Sequence, residues 1–204
     1  MQIKLTKQQK IKVDSPIKLY EIMQKILLRE SETDRNKEHL WTISLDNASR
    51  ILNIEMVSMG TVNQTIVEPM EVFSIPLQKR AVQLIIVHNH PSGELKPSES
   101  DKDITDRLIQ VGRITNVTLI DHLIISEENY YSFNDNDLIE ELGMSLKYVP
   151  PFIIKQRYEK AAKELGEKGK AEDIARILKK DGHPIEYISK ITGISKSVIA
   201  KLKP

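Results

Sequence analysis

The chain has 204 residues, 40% of them hydrophobic and 29% charged, a balance that fits a globular protein with one well-packed domain and a smaller one appended. It has no cysteine, which excludes disulfides and thiolate chemistry and leaves only nitrogen and oxygen to hold any metal. No apolar run is long enough to span a bilayer, and Met1 to Lys12 lacks the apolar core of a signal peptide, so a cytoplasmic protein is expected.

The net charge of +1 conceals an asymmetry. From Pro151 onward thirteen Lys and Arg face seven Asp and Glu, a net +6, which leaves −5 on residues 1–150.

In chain order, residues 14–28 predict a helix, with Asp14 or Ser15 as N-cap, Pro16 in the first turn and an apolar face of Ile17, Leu19, Ile22, Met23, Ile26 and Leu27. Arg29 to Lys37 reads as a polar loop. HLWTISLD and RILNIEMVSMG follow as two strands, separated by the turn residues Asn47-Ala48-Ser49. Pro69 opens a second helix, MEVFSIPLQKRA, which Pro76 should interrupt or kink. Leu84 to Val87 predicts a buried strand running into His88-Asn89-His90-Pro91-Ser92-Gly93. A helix from Glu99 to Val111 starts near Ser98, and VTLIDHLIIS and the cluster around Tyr130, Tyr131 and Phe133 complete the strands. Residues 1–149 thus describe an α/β (α+β-like) domain, a mixed sheet flanked by helices. Pro150-Pro151 marks a boundary to a basic, all-helical module over 150–204, with a helix from Phe152 to Leu165, a hinge at Gly166 to Gly169 and three shorter helices.

The chemistry concentrates in His88-x-His90, followed by Ser98 and Asp101. Histidines two apart on an extended segment point the same way, so both rings can converge on one ion. Asp101, in the first turn of the next helix, can be folded back by the intervening loop. Two nitrogens and one carboxylate leave the fourth tetrahedral position open, as in catalytic rather than structural zinc sites, where the ion lowers the pKa of its water to about 7. Such a water needs a general base. Glu38, Glu68, Glu71, Glu94 and Glu99 all qualify by position, and spacing does not choose among them. The adjacent letters HNH do not make an HNH nuclease, whose residues are spread over a ββα unit. His122, on an apolar strand, reads as a hydrogen-bonded core histidine.

HNHPSG followed by PSESD resembles the RadC version of the JAMM motif, and GTVNQTIVEPMEVF, IDHLIIS and YYSF resemble further strings of the same family. The resemblance covers about residues 14–135. It implies the MPN/JAMM fold and one zinc held by His88, His90 and Asp101. It also implies that Ser98 stabilises the tetrahedral intermediate and that the base lies on the first core strand, a position only Glu38 fits. Met70 departs from the family, which usually has arginine there. The activity implied is zinc-dependent cleavage of a peptide or isopeptide bond in a protein or peptide substrate. RadC-like proteins also carry a DNA-repair label.

The tail supports an alternative in which the protein is a DNA-associated module. Ile185, Ile188 and Ile191 form one apolar stripe, Gly193 a turn, and Ile194, Val198, Ile199 and Leu202 a second stripe, the outline of a helix-turn-helix. Ser195, Lys196, Ser197, Lys201 and Lys203 would face phosphates. The competing reading is a small bundle that contacts protein.

Overall fold

The computed structural model describes residues 2–3, 12–60, 67–164 and 171–203; most of the basic N-terminus, part of the GTVNQTIV string and the hinge expected at Gly166–Gly169 lie outside the described residues. The chain divides into two compact units, 1–148 and 149–204.

In the first unit the elements run β1 (Gln2–Ile3), α1 (Pro16–Leu27), α2 (Glu32–Arg35), β2 (His39–Leu45), β3 (Ile51–Met59), α3 (Pro69–Gln78), β4 (Gln83–Asn89), α4 (Glu99–Thr115), β5 (Thr118–Ile125), β6 (Tyr130–Ser132) and α5 (Leu138–Gly143). The strands form one sheet in the order β1-β3-β2-β4-β5-β6. Every neighbouring pair is antiparallel except β4 and β5, which are parallel and joined by the α4 crossover. This is the mixed α/β sheet with flanking helices that the patterning predicts. The β2–β3 turn is built by Asp46, whose carboxylate accepts from the backbone N–H groups of Ala48 and Arg50.

Helices cover both faces of the sheet, which is why every residue of β2 is buried. On one face Trp41, Ile43, Ile85, Val87 and Leu123 pack on α1. On the other, Leu40, Leu84 and Ile86 pack on Val72 and Phe73 of α3 and Leu108 and Ile109 of α4. Alternation along β4 therefore sends odd residues toward α1 and even residues toward α4.

Three expectations need correction. Residues 29–37 are not all loop, because Ser31 caps the short α2 by accepting from the Asp34 N–H. The helix from Pro69 runs unbroken through Pro76, which lies in its last turn and so removes a single intrahelical bond. Ile17 is exposed and Tyr20 takes its place on the buried face of α1.

The second unit holds α6 (Pro151–Glu164), α7 (Ala171–Lys180), α8 (Ile185–Thr192) and α9 (Lys196–Lys201). Ile174, Leu178, Ile188, Ile191 and Ile199 are buried, whereas Ile185 is exposed and drops out of the expected stripe. Gly193 ends α8 in the left-handed region at φ 73°, which permits the sharp turn into α9. Lys179 Nζ donates to the carbonyls of Ile199, Ala200 and Leu202 at 3.0, 2.9 and 2.7 Å and so caps α9. Among the described residues no helix is long and apolar enough to cross a membrane.

Candidate metal centre

His88 continues the even series of β4 and so faces α4. Past the strand end the His90 N–H donates to the Ile125 carbonyl at 2.9 Å, and the chain turns at Gly93, φ 79°. It re-enters helix at Ser98, the N-cap of α4. The Ser98 hydroxyl accepts from the Asp101 N–H and donates to Asp101 Oδ2 at 2.6 Å, while the Ser98 N–H donates to the same oxygen at 2.8 Å. This capping box aims the Asp101 carboxylate back at the histidines.

The donors meet. His88 Nε2 lies 2.9 Å from His90 Nε2 and 3.3 Å from Asp101 Oδ1, and His90 Nε2 lies 3.7 Å from Asp101 Oδ2. Among the described residues this is the one group of three or more His, Cys, Asp or Glu side chains close enough to share an ion. Donors on a tetrahedral zinc with bonds of roughly 2.0–2.1 Å stand about 3.3 Å apart, so these separations suit it. The protonation pattern suits it too. His90 Nδ1 is 2.6 Å from the Glu94 carbonyl, which can only accept, so Nδ1 carries a proton and, in the neutral ring, Nε2 is bare. A bare nitrogen 2.9 Å from a second ring nitrogen and beside a carboxylate is a place for a cation. The residues fit the metal that the motif implies.

Burial drives the His88 pKa down to about 4, with His90 pushing the same way and Asp101 opposing. His122, also buried, is held well below its ordinary value by desolvation and then by His88 and His90. Its Nε2 lies 2.7 Å from His88 Nδ1, and its Nδ1 lies 2.7 Å from the Thr105 hydroxyl. His122 is the buried, hydrogen-bonded histidine that its apolar strand predicts, and its partners tie it to the site through the parallel β4–β5 pairing, His88 opposite Ile124.

Glu38 is placed by register. Leu40 of β2 pairs with His88, and Glu38, two residues earlier, lines the same cleft as His90. Burial raises the Glu38 carboxyl pKa; His90 lowers it and Asp101 raises it further. Asn89, between the two histidines, points to the opposite face of the sheet. There its side chain accepts from the His39 N–H at 2.7 Å and donates to the Lys37 carbonyl at 3.0 Å, gripping the backbone on both sides of Glu38. No spacing argument singled it out.

The other carboxylates separate. Glu94 and Glu99 line the cleft and are exposed, Glu99 being paired with Lys102 at 2.8 Å. Glu68 pairs with Arg107 at 3.7 Å, and Glu71 is exposed outside the cleft lining. The cleft itself holds about 820 Å³ between Glu38 and Leu40, at the entry to β2, and the N-terminal end of α4 (its cap Ser98, Asp101, Ile104), large enough for several residues of a peptide.

The pattern of the RadC-like JAB domain matches residues 13–138. The chain is similar to the UPF0758 protein of Chlorobium chlorochromatii, 38% identical over 106 residues, which is 52% of this chain and 48% of that one. It is also similar to the UPF0758 protein of Clostridium acetobutylicum, 40% identical over 113 residues, 55% and 49% of the two chains. A third, from Syntrophomonas wolfei, is 36% identical over 127 residues, 62% and 54%. The chain spans about half the length of the curated relatives it matches.

Proposed function

The chain belongs to the RadC-like JAB domain family, and from that premise we propose that it is a zinc-dependent hydrolase of peptide or isopeptide bonds. One observation carries the reading: His88 Nε2, His90 Nε2 and the Asp101 carboxylate converge at the wall of an open cleft that Glu38 also lines. A zinc ion held by those three groups would supply Lewis acidity and acidify a water at neutral pH.

The remaining work falls to the chain's own residues. Glu38, made more basic by its burial, takes a proton from the attacking water and returns it to the leaving amine. Leu40, Val67 and Ile104 line the cleft and exclude bulk water from the scissile bond, which strengthens every charge interaction there. The Ser98 hydroxyl holds Asp101 Oδ2 at rest; rotated about its Cα–Cβ bond, it donates to the carbonyl oxygen as charge develops.

The test is to load the full chain with zinc and offer quenched-fluorescent peptides and lysine-isopeptide probes. Cleavage that stops with chelator and in Glu38→Gln supports the reading. Cleavage that continues in a His88→Ala, His90→Ala double variant overturns it.

A second reading has the 149–204 unit bind duplex DNA, with hydrolysis secondary. It is favoured by the left-handed Gly193 turn between α8 and α9 and by the exposure of Lys201 and Lys203. Lys196, by contrast, is already ion-paired with Glu186.

A further inference from the structure

We propose that Thr105 and His122 are positioning residues that decide which nitrogen of His88 is bare, and so prepare that ligand before any metal arrives. The inference rests on the zinc reading above and concerns only how the site is made ready.

One chain of hydrogen bonds runs from Asp101 through Thr105 and His122 to His88. The Thr105 hydroxyl lies 2.5 Å from the backbone carbonyl of Asp101. A carbonyl accepts only, so the single hydroxyl proton points there. Toward His122 Nδ1, 2.7 Å away, Thr105 can then only accept, and Nδ1 carries the His122 proton. His122 is 1% exposed and its ring nitrogens meet a hydroxyl and an imidazole rather than a carboxylate, so it holds one proton and its Nε2 is an acceptor. His88 Nδ1, 2.7 Å from it, must donate, and that leaves His88 Nε2 bare. This is the nitrogen that faces His90 and Asp101. Phe133 stacks on His122 with centroids 4.5 Å apart and planes 24° apart, which resists a ring flip that would break the sequence.

The relay has a second consequence. It begins on the carbonyl of Asp101, itself a candidate ligand, and ends on the ring of His88. Two candidate ligands from different elements, α4 and β4, are joined through β5 by three hydrogen bonds, the two at His122 buried. Without the relay, His88 would be free to carry its proton on Nε2, where it blocks the metal. The hydrogen bond on the far nitrogen of a ligating histidine sets both its tautomer and its orientation, and its loss typically costs about 10–100-fold in metal affinity.

Two measurements on the full chain test this. In the metal-free wild type, ¹⁵N NMR of the imidazole rings should show His88 and His122 both protonated at Nδ1. In competition with a chromophoric chelator, Thr105→Val and His122→Ala should hold Zn(II) roughly 10–100-fold more weakly than wild type. Thr105→Ser keeps the hydroxyl and should stay close to wild type, a rescue that a purely packing role for Thr105 would not produce. Trp41 fluorescence reports whether each variant is folded; if Thr105→Val or His122→Ala is not, the wild-type ring spectra decide alone. His88 protonated at Nε2 in the wild type, or a folded Thr105→Val with undiminished Zn(II) affinity, overturns the relay. If the wild type takes up no Zn(II), the hydrolase reading falls, and the ring-nitrogen spectra still decide the relay.

Discussion

Lowering the pH of the metal-free protein should destabilise the first unit through His88. In the folded chain its pKa is about 4, against 6.5 for an unperturbed histidine, because burial disfavours the cation. Between those values the unfolded chain binds a proton that the folded chain refuses. The stability is therefore fully present above pH 6.5, is lost as pH falls, and levels off below about 4. A shift of this size corresponds to about 3 kcal/mol over the whole window and roughly 2 kcal/mol by pH 5. That is a large part of the about 5–15 kcal/mol that typically holds a domain folded. His122 acts in the same direction. Glu38 and Asp121, whose carboxyls are raised by burial, act oppositely and penalise the folded state as pH rises through their raised values. A difference measurement removes them. Urea unfolding in the presence of chelator can be followed by Trp41, the single tryptophan and fully buried in this unit. Wild type and His88→Gln should differ less at pH 5 than at pH 7, by about 2 kcal/mol. Parallel pH profiles for the two would refute the argument.

Metal analysis by mass spectrometry should find one zinc per chain, absent from the His88→Ala, His90→Ala double variant; full retention there would remove the site. The apo-protein should stay folded by circular dichroism, since two apolar clusters, one on each face of the sheet, hold the unit without the ion. Glu38→Gln should keep its zinc and lose about 10²–10⁴ in hydrolysis rate, while Glu71→Gln stays active; the reverse result would move the base to Glu71. Gly112→Ala should lose about 1–3 kcal/mol in denaturant unfolding, because its new Cβ would sit 2.5 Å from the Val117 carbonyl oxygen, and a stability equal to wild type would contradict that close approach. The full chain should shift duplex DNA in a gel at low salt and release it at moderate salt, with Lys201→Ala and Lys203→Ala weakening binding more than Lys196→Ala; no shift at low salt retires the DNA reading.

The sequence alone carried the fold class and the grouping of His88, His90 and Asp101, for a local reason. Alternation along a strand puts His88 and His90 on one side, a capping residue three positions ahead of an acid puts Asp101 in the first turn of a helix, and both rules act over fewer than about five residues. Strand patterning of the same kind made the mixed sheet legible. What lay beyond reach depended on which elements become neighbours. Glu38, which only the family resemblance had singled out, shares a cleft with His90 because β2 pairs with β4 at Leu40 and His88. Asn89 could not be recognised as the grip on the Glu38 backbone until the chain before β2 was brought under it. His122 and Thr105 sit 34 and 17 residues from His88 in sequence and are joined to it by the parallel β4–β5 pairing and the helix between those strands. In the second unit, composition showed a basic surface, and the folded chain showed where its charges go: Lys179 caps α9 and Lys196 pairs with Glu186. A sequence lists the donors and acceptors, but which of them meet is decided by long-range packing, because a hydrogen bond acts only at contact and a charge pair weakens with distance.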